Sequence, residues 1–460
     1  LARVAADRYP MARLPLIAHR SPESVVAWRD GQPISAARYL ADVQGAAAAM
    51  PGRSHVLNLC SDRYRFAVGL GAAMLRGQIT LMPPDHTPET VRQLRGFAAD
   101  LYCLADTAGG DIELPRFDFP LGEAAPAGPL RVPEIDEQQG CAIVFTSGST
   151  GRPEPHAKRW GALVRNVVGE AARLDLLAHQ DRVVVATVPP QHMYGFESSV
   201  LVAMQSGAAF DAGRPFYPAD ICATLARIDA PRVLVITPFH LRTLLAEVAL
   251  LPRLEMIVCA TAPLSPQLAR EAELRSGAPL LEIYGCTETG QLATRRSTRT
   301  SEWEPLPDVR IEARDGQAWA SGGHVERATP LSDIIETTAG GRFVLHGRSA
   351  DVVNLAGKRS SLAYLGHQLN SIEGVEDGVF YLPDDVPDDG VARLAAFVVA
   401  PGLTRAALLG ELRRRIDSVF LPRPLVLVDA LPRAATGKLP RQALAELAAA
   451  QVRRRGQLAR

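Results

Sequence analysis

The chain carries the stretch Phe-Thr-Ser-Gly-Ser-Thr-Gly at residues 145–151, directly after the apolar run 141–144. A buried strand therefore leads into a loop of hydroxyls and glycines. The glycines let backbone N–H groups turn toward an anion without a Cβ clash, and the hydroxyls add further donors. This pattern predicts a phosphate-binding loop made of Thr146, Ser147, Gly148, Ser149, Thr150 and Gly151. The alternative is an ordinary polar turn, because Ser, Thr and Gly also cluster in loops that bind nothing.

A lysine is expected beside such a loop, but Glu154 stands there and the nearest lysine is Lys158. No Gly-Lys-Ser/Thr run opens a helix at the Walker A spacing, which argues against a P-loop nucleotide hydrolase. We expect Lys158, or alternatively Arg152, to supply the positive charge beside the phosphates that this loop binds. Lysine is rare in this chain, since Lys158, Lys358 and Lys438 are the only lysines among 50 basic residues. Each lies close to a glycine.

Size and composition exclude several classes of protein. With 460 residues and 47% hydrophobic residues, the chain can form two or more domains. Fifty basic residues balance fifty acidic ones, and no basic stripe alternates with aromatics, so nucleic acid is not an expected partner. The six cysteines form no Cys-x-x-Cys pair, as expected of reduced residues in a cytoplasmic protein. No apolar run is long enough for a membrane span, and the first residues lack a signal pattern.

Apolar strand-like segments alternate with amphipathic helical segments through the first 300 residues, which predicts an α/β fold with mostly parallel sheets. Short, turn-rich strands after residue 301 predict a small β unit, and the pattern beyond residue 347 predicts an α+β domain. We predict an N-terminal core at 1–347 and a C-terminal domain at 352–460, with the boundary at 348–351. Expected strands are 55–59, 143–145, 183–188, 233–237, 256–259 and 280–284; expected helices are 66–76, 160–176, 218–228 and 240–250.

A second polar turn follows a predicted strand at residues 281–290, which read Leu-Glu-Ile-Tyr-Gly-Cys-Thr-Glu-Thr-Gly. Glu288 offers the hard carboxylate oxygen that Mg²⁺ prefers when it is shared with substrate phosphates. Tyr284 offers an aromatic face for stacking. An ordinary turn at a strand end is the alternative.

A third segment places Lys438 between glycine and prolines at residues 431–441. A lysine on such a constrained loop can neutralise charge that develops between a carboxylate and a phosphate. Taken alone, it also fits a surface lysine on a turn.

Together, these segments resemble the adenylate-forming superfamily, which comprises acyl- and aryl-CoA synthetases, carrier-protein adenylation domains and luciferases. The hydroxyl-glycine loop at 146–151, Tyr-Gly-x-Thr-Glu at 284–288 and Thr-Gly-Lys at 436–438 occur in the order of that family. The resemblance covers most of the chain and implies ATP and Mg²⁺ as cofactors. It also implies that a small carboxylic acid is activated as an acyl-adenylate and then transferred to a thiol.

The resemblance assigns roles to individual residues. Four residues would act in catalysis: Lys438, His192, Thr287 and Glu288. His192 would be the gate of the acid pocket, and Glu288 would bind the metal. Other implied ATP contacts, beyond the loop and Lys158, are Thr261, Tyr284, Gly285, Asp333 and Arg348. The implied acid pocket comprises His192, Phe196, Ser199, Phe239, His240 and Ala262, and the implied thiol tunnel comprises Gly357 and Lys358.

The chain departs from the family pattern at several positions. Ala260 and Thr261 replace glycines in the adenine loop, Glu154 replaces the loop lysine, and Ala350 stands where the hinge usually has Asp or Lys. These changes leave a non-catalytic nucleotide-binding protein as an alternative of another class. The presence of Glu288, Asp333 and Lys438 argues against that alternative.

The compact chain and the loop at 152–156 look similar to ligases of xanthomonadin and aryl-polyene pigment pathways, which load hydroxybenzoate-like acids onto acyl carrier protein. An aryl acid and an acyl carrier protein are therefore the expected partners. An aryl-CoA or medium-chain fatty acyl-CoA ligase, with CoA as the acceptor, is the alternative.

Overall fold

A computed structural model describes residues 12–107, 112–119, 131–147, 153–314, 317–348, 352–355, 358–383, 394–433 and 439–458. These residues form an α/β fold with two large sheets and several small β units, as predicted. The strands of the first part are β1 Arg13–Pro15, β2 Val25–Arg29, β3 Gln32–Ser35, β4 His55–Asn58, β5 Ile79–Met82, β6 Tyr102–Ala105, β7 Arg116–Asp118, β8 Glu134–Asp136, β9 Gly140–Ser147, β10 Pro153–Arg159, β11 Val183–Ala186, β12 Ala209–Asp211, β13 Arg232–Ile236, β14 Met256–Cys259, β15 Leu280–Cys286, β16 Gly290–Arg295 and β17 Glu304–Pro305. They are followed by β18 Arg310–Arg314, β19 Gln317–Gly322, β20 Val325–Leu331, β21 Asp333–Thr337, β22 Phe343–Arg348, β23 Val352–Leu355, β24 Lys358–Ser361, β25 Asp377–Tyr381, β26 Ala395–Val399 and β27 Leu425–Leu427.

The helices lie between these strands. They are α1 Ala36–Ala49, α2 Arg63–Leu75, α3 Pro88–Phe97, α4 Trp160–Arg173, α5 Met193–Gly195, α6 Val202–Ser206, α7 Pro218–Arg227, α8 Pro238–Glu247, α9 Pro266–Ser276, α10 Leu362–Asn370, α11 Arg405–Arg413 and α12 Arg441–Leu458. A π-helical segment, Phe196–Leu201, connects α5 to α6, and Ala339–Gly341 and Ser418–Phe420 are short 3₁₀ turns. No helix in the described ranges combines the length and hydrophobicity that a membrane crossing requires.

The first large sheet has six strands in the order β10-β9-β5-β4-β6-β7. Its strands are parallel except for β10, which returns antiparallel along β9 at the edge. Strands such as β6 are buried along their whole length, because helices and the second sheet cover a parallel sheet on both faces. The sheet therefore leads β9 and its polar loop out of the core.

The second large sheet has nine strands in the order β17-β16-β15-β14-β13-β11-β12-β2-β3. Its central strands, from β12 through β11, β13 and β14 to β15, are parallel. The carboxyl ends of parallel strands meet at one edge, and ligands in open α/β sheets bind there. The segments after β11, β13, β14 and β15 therefore face the same side of the molecule.

Several helices begin where the sequence supplies a capping residue followed by proline. Thr237 accepts a hydrogen bond from the backbone N–H of His240 at the start of α8, and Pro238 occupies the first helical position. Ser265 and Pro266 do the same for α9. Proline is favoured there because its missing N–H would lack an intrahelical partner in any case. These caps fix the entry of each helix directly after a buried strand.

The C-terminal part has its own apolar cores. One is built around Leu365, Leu369, Phe380 and Val398, and a second packs α12 against β25 and β26. Among the described residues, no core cluster has members on both sides of residues 348–351. The division into domains at these residues remains a prediction.

An ion-pair cluster joins this C-terminal part to α8. Arg433 holds the carboxylate of Asp377 with two hydrogen bonds, from Nε at 2.7 Å and from Nη2 at 2.8 Å. Arg242 of α8 lies 3.6 Å from the same carboxylate, measured from Nη1 to Oδ1. The chain thus approaches residue 438 from a point that is held beside α8.

Candidate active site

The predicted phosphate loop connects the two strands of an antiparallel hairpin. β9 and β10 pair with Ser147 opposite Pro153 at the end nearest the loop. Thr146 Oγ1 lies 3.0 Å from Nε2 of His156 across the hairpin. A strand at this place was not predicted, because its two prolines argue against one; they are tolerated since β10 is an edge strand. Residues 148–151 of the loop lie outside the described ranges.

Lys158 occupies the same face of β10 as His156, but its side chain is only 8% exposed. Its Nζ donates hydrogen bonds to the backbone carbonyl oxygens of Thr287 and of Glu288, the latter at 3.3 Å. Burial lowers the pKa of this ammonium group, and the opposing charge of Glu197 partly restores it. The carbonyl groups of the turn hold the ammonium group beneath that turn, and the prediction that Lys158 contacts ATP remains a prediction.

The turn that receives Lys158 follows β15 and leads into β16. Gly285 lies at a β-bulge, and a Cβ atom on it would approach the carbonyl oxygen of Gly290 to 2.4 Å. Glycine is required at this position because the two strands come so close. Thr287 is half-buried and Glu288 is exposed, so the turn presents a hydroxyl and a carboxylate at its surface.

The carboxyl group of Glu288 is held in its charged form. Burial raises its pKa, but the net shift is downward, because hydrogen bonds from the Cys286 thiol and its own backbone N–H outweigh burial. The nearby charges of His156 and Lys158 act in the same direction. No group of three or more metal-binding side chains occurs in the described part of the chain. One ionised carboxylate nevertheless fits Mg²⁺, which takes its other ligands from phosphates and water.

Tyr284, at the end of β15, forms the centre of an aromatic group. Its hydroxyl donates a hydrogen bond of 2.8 Å to Oδ2 of Asp333. Its ring centroid lies 5.7 Å from that of Trp303 and 5.6 Å from that of Phe343. Asp333 opens β21 and stands opposite Arg348 of β22 in the strand register. Three residues predicted for the nucleotide, Tyr284, Asp333 and Arg348, therefore meet at one place.

The predicted adenine loop follows β14, the parallel neighbour of β15. Thr261 has a φ of 83°, in the left-handed region that glycine adopts most easily. Cys259, just before the loop, pairs in register with Glu282 on β15. The loop therefore keeps a backbone conformation suited to glycine although a β-branched residue occupies it, and it lies beside the strand that carries Tyr284.

Two residues predicted for the acid pocket, Phe239 and His240, lie in the first turn of α8. His240 is buried, and its Nδ1 lies 3.0 Å from Oγ1 of Thr187. Its ring packs edge-on against Phe216, at 4.8 Å between centroids, and lies 5.6 Å from the ring of Phe239. Burial lowers the pKa of His240, and the charge of Arg214 lowers it further, so the ring is neutral at pH 7.

Two residues predicted for this pocket belong to the core. Phe196 and Ser199 are both 0% exposed. The Phe196 ring packs edge-on against Phe66. Ser199 Oγ accepts a hydrogen bond of 2.7 Å from Nη1 of Arg63 and donates one to the carbonyl of Gly195. Neither side chain lines an open surface, because both lie on the inward faces of the π-helical segment.

The remaining predicted pocket residues, His192 and Ala262, are both half-buried. Other predicted residues are described only in part. For Ser147, Arg348 and Lys358 the backbone strand is described and the side chain is not. Gly148, Ser149, Thr150, Gly151, Gly357 and Lys438, together with hinge residues 349–351, lie outside the described residues.

Sequence reasoning missed three buried ionisable side chains: those of Arg63, Glu170 and Glu197. Arg63 is fully buried and also donates to the carbonyl oxygens of Ala186 and Val188, at 2.8 and 3.1 Å. Glu170 and Glu197 are buried under the turn as well. A charged residue within an apolar helical segment was the available signal, because such residues are rarely buried without a partner.

The comparisons with known proteins agree with this arrangement. The model of the AMP-binding enzyme family matches residues 53–323, more than half of the chain. The chain therefore belongs to the AMP-binding enzyme family. It is an AMP-forming adenylating ligase, and the alternative of a non-catalytic nucleotide-binding protein is set aside. The residues matched include the hairpin and the turn at Glu288.

Two of the similar proteins are CoA ligases named for aromatic acids. The chain is 29% identical over 301 residues to the 4-coumarate–CoA ligase of Rhodobacter capsulatus, covering 65% of this chain and 74% of the relative. It is 28% identical over 441 residues to the indoleacetate–CoA ligase of Aromatoleum aromaticum, covering 83% of this chain and 84% of the relative. Both relatives form thioesters with CoA.

The fold is that of solved acyl-CoA synthetases. The o-succinylbenzoate CoA synthetase of Bacillus subtilis, solved with its acyl-adenylate intermediate, has a TM-score of 0.75 and 18% identity, covering 92% of this chain and 95% of the other. The same enzyme has been solved in complex with ATP and magnesium ion. The predicted cofactors, ATP and Mg²⁺, agree with this class of enzyme.

Proposed function

We propose that this chain is an ATP-dependent aryl acid–thiol ligase that transfers its acid to an acyl carrier protein. The carboxylate attacks the α-phosphorus of ATP, which forms the acyl-adenylate and releases pyrophosphate. The phosphopantetheine thiol then attacks the acyl carbon and releases AMP. The observation that carries the proposal is the convergence of three features where the two large sheets meet: the hairpin at Thr146, the turn at Glu288 and the bonded pair Tyr284 and Asp333.

In this proposal the nucleotide lies across the ends of β9, β14 and β15. Loop residues 146–151 take the β- and γ-phosphates, and Thr287 takes the α-phosphate. Tyr284 stacks on adenine, whose other side meets the loop at Thr261. Asp333 accepts hydrogen bonds from the ribose hydroxyls, with Arg348 beside it. The backbone pairings of β14 with β15 and of β21 with β22 support this arrangement.

Glu288 is the residue that would bind Mg²⁺. Its lowered pKa keeps the carboxylate charged near neutral pH, and its exposed position leaves it accessible to a metal–nucleotide complex. The metal would neutralise phosphate charge during attack on the α-phosphorus. Lys438 would approach the carboxylate and the bridging oxygen from the C-terminal domain. The pair of Arg433 with Asp377, held near Arg242 of α8, supports an approach from that side.

An aromatic acid is supported by the rings around His240. Phe216 and Phe239 offer apolar edges, while Nε2 of His240 has no hydrogen-bond partner among the described residues. A neutral imidazole nitrogen in that position suits a phenolic hydroxyl or other polar ring substituent. The two CoA-ligase relatives act on 4-coumarate and indoleacetate, which are aromatic acids of similar size. His192 would close this pocket.

The identity of the thiol that accepts the acyl group is the more specific part of the proposal. An acyl carrier protein is favoured by the likeness of residues 152–156 to the pigment-pathway ligases. CoA is the second candidate, because both named relatives are CoA ligases. In either case the C-terminal domain, 352–460, would rotate about 348–351 after adenylation. Gly357 and Lys358 would then line the path of the thiol.

The proposal is tested by ATP–pyrophosphate exchange with hydroxybenzoates, cinnamates and fatty acids. The acids that support exchange are then incubated with holo acyl carrier protein or with CoA, and the products are measured by mass spectrometry. We expect exchange with hydroxybenzoates and acylation of the carrier protein. Exchange with fatty acids alone would overturn the aryl assignment, and thioester formation with CoA alone would overturn the carrier protein.

Two lysine variants separate the half reactions. Lys438→Ala should lose pyrophosphate exchange by at least about a hundredfold, because charge stabilisation at the reacting oxygen is lost. Lys358→Ala serves as the matched control, since it removes the same group from the proposed thiol path and should leave exchange unchanged. Full adenylation by Lys438→Ala would contradict the role given to that residue.

A further inference from the structure

A lysine of one large sheet supports the turn of the other. Lys158 stands on β10, the edge strand of the six-stranded sheet, whereas Thr287 and Glu288 lie between β15 and β16 of the nine-stranded sheet. The hydrogen bonds from Nζ to the two carbonyl oxygens therefore cross from sheet to sheet. The backbone of the proposed metal-binding residue is held by a cation that faces away from solvent.

Glu197 lies under the other end of the same turn. A Cβ atom on Gly290 would come within 2.9 Å of Oε1 of Glu197 and within 2.3 Å of Nδ2 of Asn166. Gly290 has a φ of 79°, so the turn closes here in a glycine conformation directly above the carboxyl group. Oε1 of Glu197 has no hydrogen-bond partner among the described residues.

The charges around Lys158 are unequal. Among the ionisable groups near Lys158, Glu197 has the strongest electrostatic effect on it, followed by Cys286, Glu288 and Glu326. A buried ammonium group is costly unless it has hydrogen-bond acceptors and an opposite charge nearby. The turn carbonyls supply the acceptors. Glu197 supplies the largest opposing charge when its carboxyl group is ionised; burial raises the pKa of that carboxyl to about 8, and the charge of Lys158 acts in the opposite direction.

We infer that Lys158 and Glu197 are positioning residues that fix the turn from below, so that the Glu288 carboxylate points toward Mg²⁺ and ATP. The inference builds on the proposed function, because it takes Glu288 to serve the metal–nucleotide complex. Lys158 makes no contact with the nucleotide in this assignment.

The test compares Lys158→Met and Glu197→Gln with Arg159→Met. Arg159 is the next residue on β10, is exposed and pairs with Gln138 and Glu326, so it is a matched control outside the site. Amide hydrogen exchange of peptides that span 284–291 reports on the turn without any reaction. Calorimetric titration with ATP, with and without Mg²⁺, reports on nucleotide binding.

For Lys158→Met we expect exchange at 286–290 to accelerate at least about tenfold, and binding of ATP with Mg²⁺ to weaken by about tenfold. The KM for the acid should stay within about twofold, because the proposed acid pocket does not include the turn. AMP binding without Mg²⁺ should weaken less than binding of ATP with Mg²⁺, because AMP keeps the proposed contact of its phosphate with Thr287 but does not depend on Glu288. Glu197→Gln keeps the shape and removes the ionisable carboxyl group, so its effects should be in the same direction and smaller. Arg159→Met should match the wild type in every measurement.

Wild-type hydrogen exchange and unchanged binding of ATP with Mg²⁺ in Lys158→Met would overturn the inference. If Lys158→Met does not fold, Glu197→Gln decides the matter by the same two measurements. Failure of the proposed function would appear differently: the wild-type enzyme would catalyse no ATP–pyrophosphate exchange with any acid. In that case, accelerated amide hydrogen exchange at 286–290 in Lys158→Met would still identify Lys158 as the support of the turn.

Discussion

The hydroxyl of Tyr284 donates a hydrogen bond of 2.8 Å to the carboxylate of Asp333, which joins the end of β15 to the start of β21. Tyr284 was expected to stack its ring on the nucleotide, and Asp333 was expected to bind the ribose. The bond shows that they also fix one another. Asp333 accepts this bond with Oδ2, so in the proposed nucleotide complex its other oxygen would serve the ribose hydroxyls.

Tyr284→Phe removes this bond and keeps the ring. Because Asp333 then loses its orientation while stacking is retained, the KM for ATP should rise about three- to tenfold with kcat little changed. Steady-state kinetics at saturating acid measure the effect. Tyr364→Phe removes a hydroxyl from an exposed tyrosine of α10 and provides the control. An unchanged KM for ATP would contradict the ribose role of Asp333.

Phe239→Ala tests the aromatic pocket at α8. Loss of the ring should raise the KM for an aryl acid about tenfold, since most of the burial energy of the substrate ring depends on such contacts. The KM for ATP should stay constant. Exchange assays over a series of acid concentrations measure both values, and equal increases in the two would argue against a local role in the pocket.

Ser199→Ala tests whether Ser199 acts in the core or in the acid pocket. The variant leaves the buried guanidinium of Arg63 without one acceptor, so unfolding should require about 1 to 3 kcal/mol less free energy. The order of preference among acids should not change, because Ser199 has no exposed surface. Urea unfolding and a comparison of three acids give the two readouts. A changed preference would return Ser199 to the pocket.

Glu170 gives the fold a dependence on pH. Burial raises the pKa of its carboxyl from 4.5 to about 7, although hydrogen bonds from Ser198 and Gln291 act in the opposite direction. Since the pKa in the folded state is the higher one, the contribution of Glu170 to stability is complete below about pH 4.5 and is lost as the pH rises through about 7. The loss is on the order of 3 kcal/mol.

The free energy of unfolding of Glu170→Gln, compared with that of the wild type, should therefore be higher at about pH 8 than at about pH 5. Urea midpoints at the two pH values measure the difference. Glu247→Gln, on an exposed position of α8, is the control for loss of one negative charge. A constant difference between Glu170→Gln and the wild type at both pH values would show that Glu170 does not titrate in this range.

The parts of the site that could be predicted are those that local sequence determines. The turn at Glu288 follows a buried strand and begins at a glycine, so its place at a sheet edge follows from the apolar run and the glycine. The same reasoning located Thr146 and the strand before Thr261. Each of these depends on a few neighbouring residues.

The parts that could not be predicted depend on distant pairs or on an unusual helix. Ser199 bonds with Arg63, which lies 136 positions earlier in the chain, and Lys158 bonds with the turn at Thr287, 129 positions later. Phe196 belongs to a π-helical segment, whose hydrogen-bond spacing turns side chains to faces that an α-helical period does not indicate. No local pattern carries that information.

The contact of Lys158 with the turn has a consequence for the order of events in denaturant. The site exists only while the two large sheets are docked against each other, because each sheet supplies one half of this contact. Slight separation of the sheets would release Glu288 before any strand or helix melts. Pyrophosphate exchange is therefore expected to fall at lower urea concentration than far-ultraviolet circular dichroism, and added ATP should draw the two curves together.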